Sequence, residues 1–546
     1  MNYAKLVVPE ENETTQPIVG REQEMVPMRG GGYGFEKDIW QRLDQFLIIG
    51  SEKNTYYASA GELTAENVEA LAACCKADPD RTIGRIMEIS MSGRAFKNSP
   101  AIFALAYIVR TRPGNTGPDK VRVHSMAYEA VPLVCRTGSH FHEFQTTLNT
   151  LGETWNRSRR TMTERWYTTK SADSVAYQVM KYKQRNGWSH RDSVWLANFT
   201  SDDPGINAVM RYVIKGYEGM DSDQIRSLPD IVTVSDDIKT SSMKNVIAAI
   251  EAHKWLTWEM LPSEMLRESK VWRAMIPNLP YTALMRNLAR MSSNGTFDTK
   301  SVVNMVAKRL TDADYIRKSR VHPLNILNAL ITYKSGSGVR GKLTWHPNRV
   351  IYDALDKAFY MAFCNLESTG KNIMVALDVS SSMNVPIMDS GLTAMEAGAA
   401  IAMMIMNAEE NHEIVAFSRD IQQVHFRKTD SLSSAVASLR RLTFGSTNCA
   451  APMRYALENG INADAFIIIS DMEANVGSQT VKALDAYRKL TGIDAKWIGA
   501  NTVANTYGLG DPTDPGMLST VGFDTNLHTL MVRFINNWEE GTYVEQ

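Results

Sequence analysis

Hydrophobic and polar positions change their period once along this chain. From Asp38 to about Lys334, apolar residues recur at three- and four-residue intervals. That spacing predicts amphipathic helices over Thr64–Lys76, Ser99–Arg112, Val246–Trp258, Ser269–Ile276, Tyr281–Met291, Lys300–Leu310 and Pro323–Tyr333. Ser99 reads as an N-cap with Pro100 in the first helical position. Short polar or Pro/Gly links separate the blocks. Stacked antiparallel helix pairs of an α-solenoid explain this texture, although no strict sequence period accompanies it. Ser335–Pro347 breaks the pattern with three glycines and a proline, and one more helix is expected over roughly Ile351–Cys364. A boundary near Gly370 then divides residues 1–365 from residues 366–546.

Beyond the boundary, apolar runs at Ile373–Leu377, Glu413–Phe417, Ala465–Ser470 and Ala495–Ala500 alternate with helix patterns. The helices are expected over Thr393–Ala408, Leu432–Leu442, Cys449–Glu458 and Ser478–Leu490, with a last one near Leu530–Trp538. Strand and helix in alternation predict an α/β, doubly wound parallel sheet, in which ligands sit beyond the carboxyl ends of the strands. Residues 1–35 read as a polar arm ending in Gly30-Gly31-Gly32-Tyr33-Gly34, whose glycines lack the spacing of a nucleotide loop.

Composition narrows the class. At 546 residues the chain exceeds one ordinary core, and 44% hydrophobic with 22% charged residues is usual for a globular protein. No apolar run reaches the roughly 18 residues of a membrane span, and the polar N-terminus lacks a signal-peptide core, so a cytoplasmic protein without membrane association is expected. Five cysteines without a C-x-x-C suggest neither a disulfide framework nor a zinc site. Net charge is −1, but residues 371–546 hold 12 Lys+Arg against 20 Asp+Glu, and the preceding 370 hold 47 against 40. The excess of cations in the first part points to a polyanionic partner there.

Two constellations carry chemistry. The first follows the strand Ile373–Leu377, where Asp378, Ser380 and Ser382 form D-x-S-x-S in a loop. Thr447, in a loop before a helix, and Asp471, at the end of the strand in IIISD, would open on the same sheet edge. Two carboxylates and three hydroxyls are hard oxygen donors that suit a divalent cation, Mg²⁺ before zinc. The set resembles the metal-ion-dependent adhesion site of von Willebrand factor A domains. Ser-rich turns also follow strands that bind nothing.

The second constellation is Trp155–Asp192, where arginines and lysines alternate with Trp155, Trp166, Tyr167, Tyr177, Tyr182 and Trp188. Cations neutralise phosphates and aromatic faces stack on unpaired bases. The same composition also describes a solvated helix face beside an ordinary core.

The long motifs are more specific. KYKQRNGWSHRD (Lys181–Asp192), W-x-R-x-x-R (Trp155, Arg157, Arg160), GREQEMVP, GGYGF, FLIIGSEKNTYYAS, TALMRNLARM, HPLNILNALITYK, RGKLTW, DVSSSM and GFDT occur in order from about residue 20 to 540. Together they resemble the Ro ribonucleoprotein (Ro autoantigen) family, and a prokaryotic-type member in particular. The resemblance implies a TROVE module of HEAT-like helical repeats closed into a monomeric ring, followed by a von Willebrand A domain. It implies binding of small noncoding Y-like RNA on the outer surface, with single-stranded 3′ ends of misfolded or decaying RNA taken through a central channel. Polynucleotide phosphorylase is the protein partner associated with bacterial relatives. Lys181 and Arg185 match Y RNA-binding positions of the family, and Arg157, Arg160 and His190 complete the expected RNA contacts. Two departures stand out: Asn198 in WLANF where some relatives have His, and GSTN where relatives have GGTD, with Asn448 removing a charge beside Thr447.

A non-catalytic RNA-binding protein acting in RNA quality control is therefore the leading expectation. The alternatives are a protein-interaction scaffold docking through the cation, and a Mg-dependent nuclease using Asp378 and Asp471. His190 and His322 are the nearest candidates for a base, and both read better as contact or structural groups.

Overall fold

The computed structural model describes residues 17–27, 33–36, 38–49, 69–92, 98–338, 342–387, 392–442, 445, 447–471, 478–502, 507–521 and 527–536. They pack as two compact units. One draws on the chain up to Ala70, on Ala313–Thr332 and on everything from Leu355; the other comprises Leu71–Asp312 and Tyr333–Ala354.

The first unit is built on a sheet. The strands of its two larger sheets are β1 (Met25–Pro27), β2 (Tyr33–Glu36), β3 (Ile373–Asp378), β4 (His412–Phe417), β5 (Ile421–Gln423), β6 (Ala465–Ser470), β7 (Lys496–Asn501), β8 (Tyr507–Gly508) and β9 (Met517–Val521). Six of them run in the order β9-β7-β6-β3-β4-β5, with β3 and β6 central and buried throughout. Continuous apolar strands are what a sheet covered on both faces requires. β9, β7, β6, β3 and β4 are parallel, whereas β5 pairs with β4 antiparallel. The expectation of a wholly parallel sheet is corrected at this edge. Only Ser418–Asp420 joins β4 to β5, and a parallel return needs a crossover of a dozen or more residues.

The helix Ala394–Ala408 lies on this sheet, opened by a capping box between Thr393 and Glu396. A Cβ at Gly398 would stand 3.2 Å from Ile469 and 3.3 Å from Leu377, so the glycine allows the helix its close approach.

The N-terminal segment is a second correction. Instead of an arm belonging with the helical part, β1 and β2 form an antiparallel hairpin that continues into β8. Met25 and Phe35 enter the same core as Tyr487 and Trp497. Arg21 fixes the approach by pairing with Asp511 and lying 4.7 Å over the Phe35 ring. The polar sequence hid this because the small three-stranded sheet sends few side chains inward: Met25 and Phe35 are buried, with Val26 and Tyr33 packed against the same core. Residues 28–32, with most of the glycine run, lie outside the described residues.

The second unit is helical, with neighbouring helices packed largely in chain order. The elements that position the basic stretch are α1 (Gly117–Val134), α2 (Gly138–Thr150), α3 (Arg157–Thr168), α4 (Ala172–Lys181), α5 (His190–Ala197), α6 (Pro204–Lys215) and α7 (Asp230–Asp237). None of these was predicted individually, and the stripe is hardest to see in α3, where four arginines interrupt it. α3 reads RSRRTMTERWYT, yet Met162, Thr163, Trp166 and Tyr167 are buried.

The expected helix Lys300–Leu310 forms over those residues, and Val246–Trp258 becomes Met243–Ala252. Thr64–Lys76 lies partly outside the described residues and is helical over Glu69–Ala77. Helix Ser99–Thr111 is preceded by Asn98 at the N-cap, so the predicted cap at Ser99 is one residue late. The Asn98 amide instead donates to the Val134 carbonyl at 2.8 Å and accepts from Ser90 at 2.6 Å, which ties neighbouring helices together.

Candidate functional site

α4 ends at Lys181, and the chain turns back through a hairpin in which Gln184–Arg185 pairs with Trp188–Ser189. Asn186 (φ 49°) and Gly187 (φ 77°) make the turn, and Asn-Gly is the pair that such a left-handed two-residue connection favours. Ser189 then caps α5 in a capping box with Asp192. Thr146 on α2 donates to the Asn186 carbonyl at 3.3 Å and holds the tip in place. The result projects Gln184 and Arg185 into solvent, with Arg191 and the 66% exposed Trp195 on the following helix.

Lys181 is half-buried at the base of the hairpin. Its ammonium donates to the Tyr177 hydroxyl at 3.0 Å and lies 5.1 and 5.3 Å over the rings of Tyr177 and Tyr182. Burial opposes its charge, but the Tyr177 hydrogen bond and the Glu259 carboxylate outweigh it and raise the pKa. The side chain is thus a positioned cation.

Behind the hairpin, α4, α5, α6 and α7 border an open cleft of about 500 Å³ lined, among the described residues, by Lys183, Arg191, Lys215 and Lys239 against one acid, Asp236. Tyr212 donates to Asp236 at 2.5 Å, and Lys239 pairs with Asp236 and donates to the Tyr212 hydroxyl at 2.8 Å. Burial and the neighbouring Lys239 both lower the Lys183 pKa. Four cations around one committed carboxylate leave an uncompensated positive site. Sequence reasoning missed Lys215 and Lys239, which come from outside the basic stretch and reach it only through helix packing.

The remaining expected RNA contacts separate. Arg157 and Arg160 are exposed on α3, and Arg157 lines a different groove, against α1. His190 is buried at 2% exposure, its Nδ1 2.7 Å from the Tyr167 hydroxyl and its ring 4.3 Å from that of His142. In this position it packs the base of α5 and its ring is not presented to solvent, which goes against the expected direct contact. Burial, then the charge of His142, depresses its pKa well below the ordinary histidine range. Arg159 is likewise internal: it donates to Gln145, Asn149 and the Glu153 carbonyl and lies 4.7 Å over Trp155. Asn198 sits at the C-cap of α5 with φ 46°, a left-handed position that Asn tolerates better than most residues, so this departure has a local backbone reason.

In the other unit, Asp378 ends β3 and Asp471 follows β6, and the two strands are adjacent in register. Asp378, Ser380, Thr447 and Asp471 are buried, and Ser382 is half-buried. Asp378 accepts from the Ser380 amide at 2.8 Å and from Ser470 Oγ at 2.6 Å, while the Ser380 and Ser382 hydroxyls lie 3.0 Å apart. Burial and the nearby Asp471 charge hold the Asp378 carboxyl up to about 6. Asn448 accepts from the Ala450 amide at 3.1 Å and shapes the turn after Thr447. Among the described residues no group of three or more His, Cys, Asp or Glu side chains could hold a metal. A cation here would depend on hydroxyls beside two carboxylates.

Comparison with known proteins adds to this geometry. The TROVE domain family matches residues 28–217 and 252–332, and the Ro60 vWA domain family matches residues 372–535. The chain is 31% identical to RNA-binding protein RO60 of Caenorhabditis elegans, over 93% of this chain and 90% of that one. It is 30% identical to RNA-binding protein RO60 of Deinococcus radiodurans, over 96% and 98%. The crystal structure of the Deinococcus radiodurans RO (RSR) protein matches with a TM-score of 0.71 at 30% identity, covering 92% of this chain and 100% of that one.

Proposed function

Because the chain belongs to the Ro60 family, with a TROVE domain and a Ro60-type vWA domain, we propose that it is a non-catalytic RNA-binding protein. The observation that carries this is the basic face of the helical unit: Lys181 and Arg185 at the hairpin, and Lys183, Arg191, Lys215 and Lys239 around the cleft behind it. Phosphate neutralisation by such a face supplies affinity without sequence choice, and Trp195 and Tyr182 offer rings for stacking.

The preferred ligand in this reading is a small structured Y-like RNA, held at the hairpin, together with RNAs that end in a free single strand. Passage of a 3′ end through a central channel, partnership with polynucleotide phosphorylase, a role in RNA quality control and a cytoplasmic setting rest on the family resemblance. No helix among the described residues is long and apolar enough to cross a membrane.

The strand-end oxygens fit a hard divalent cation, and Mg²⁺ is the ion assigned to them. Asp378 and Asp471 would hold it with Ser380, Ser382 and Thr447, and its arrival would relieve the crowding of two buried carboxylates. It would supply a docking or structural charge. A nuclease reading has less to rest on, since two-metal hydrolysis needs a richer carboxylate cluster than this pair.

The test is the double variant Lys181→Ala/Arg185→Ala, assayed for a Y-like stem-loop RNA at physiological salt. Loss of two phosphate contacts should weaken binding about tenfold or more with helicity unchanged. Unchanged affinity would remove the hairpin from the account.

A further inference from the structure

The cleft behind the hairpin gathers its cations from four separate elements: Lys183 leads into the hairpin, Arg191 stands in the first turn of α5, Lys215 closes α6 and Lys239 follows α7. Asp236, the one acid among the described lining residues, is already bonded to Tyr212 and Lys239. Lys183, Arg191 and Lys215 make no ion pair among the described residues. Burial, then the charge of Lys239, lowers the Lys183 pKa, with Asp236 acting the other way, as happens where cations crowd without a sufficient counterion. Ser189, His190 and Arg191 also line the cleft, so the N-terminal turn of α5 borders it and adds the partial positive charge of a helix end. The Asp192 carboxylate in the same turn is engaged with the Ser189 amide and hydroxyl, at 2.8 and 2.6 Å. Val179, Met180, Val213 and Ile214 supply apolar walls, beside which charges interact more strongly than in open water.

Such a convergence suits an anion whose charge is concentrated at one point. A strand that continues through a site offers one negative charge per phosphodiester, whereas a terminal phosphate carries about −1.5 to −2 at pH 7 with three acceptor oxygens on one phosphorus. We infer that the cleft is a site for a terminal phosphate group, with Lys183, Arg191, Lys215 and Lys239 supplying its donors. The first source of that group is the phosphorylated end of an RNA held at the hairpin, and in this the inference rests on the RNA-binding reading above. A soluble polyphosphate carries the same group and is the second source. Either occupant neutralises the cleft, and the first makes the basic face selective for how an RNA ends.

The experiment measures affinity of the full chain, at fixed salt, for one Y-like stem-loop RNA prepared with a 5′-phosphate, with a 3′-phosphate or with hydroxyls at both ends, and separately for inorganic tripolyphosphate. A phosphate at one of the two ends should strengthen binding about three- to tenfold. Lys215→Ala, at an exposed position that leaves the Asp236 cluster intact, should bring that ratio close to one, and Lys215→Arg should restore it. Lys181→Ala/Arg185→Ala should instead weaken all three RNAs and keep the ratio. If the three RNAs bind wild type alike but tripolyphosphate binds it and not Lys215→Ala, the site stands and its source is the soluble one. If the RNAs bind alike and tripolyphosphate does not bind, or if the ratio survives Lys215→Ala, the terminal-phosphate site is overturned while RNA binding at the hairpin stands. If folded wild type binds none of the RNAs, the RNA reading fails, and tripolyphosphate binding alone decides the cleft.

Discussion

The histidines beneath the basic face are chemically the most constrained residues here. Burial holds His140 and His142 to pKa values of about 4 and His190 well below the ordinary 6.5. Unfolding exposes them to water, where they titrate near 6.5. Between that value and about 4 the unfolded chain binds more protons, so stability is full above pH 6.5 and falls as the solution is acidified. Each histidine contributes about 1.4 kcal/mol per pH unit in that window. Asp378, held up to about 6, acts in the opposite sense, but it is one group against three. The urea midpoint should therefore drop clearly between pH 7.5 and pH 5; a midpoint that stayed level would mean these imidazoles are hydrated in the folded state. His190 also marks the limit of motif reading. The KYKQRNGWSH block places a histidine beside exposed cations in sequence, but the capping box at Ser189 turns the chain into a helix and sends its first side chain inward.

At the scale of elements, the hairpin that carries Arg185 depends on a turn whose two residues both have positive φ. A Cβ at Gly187 would meet nothing within 4 Å, so Gly187→Val would be penalised by backbone strain alone, about 1–2 kcal/mol. That cost falls on an element of two-residue strands, while the helices around it keep their cores. The variant should lose Y-like RNA affinity severalfold with little change in melting temperature; a large drop in melting temperature would instead make the turn part of the global fold. Strands β3 and β6 were legible in the sequence because a doubly covered strand is apolar at every position. β5 and β9 were not, since edge strands bury little and Ile421–Gln423 is mostly polar. Helix α3 was hidden for the same reason that makes it interesting: its outward face carries the arginines that blur an apolar period.

Across the whole molecule, the charge asymmetry visible in the sequence agrees with where the basic cleft lies, within Leu71–Asp312, while the oxygen cluster belongs to the unit built on the sheet. The D-x-S-x-S loop was easy to read because its donors alternate within one short stretch and a strand end displays them. Lys215 and Lys239 could not be read, because only tertiary packing brings them to Lys183 and Arg191. The central claim is that the helical unit, through this basic face, holds the RNA. Ultraviolet crosslinking of the full chain to a bound Y-like RNA, followed by mapping of the crosslinked peptides, tests it most directly. Crosslinks are expected within residues 177–195 and at the cleft residues near 215 and 239; crosslinks confined to residues 372–535 would contradict it.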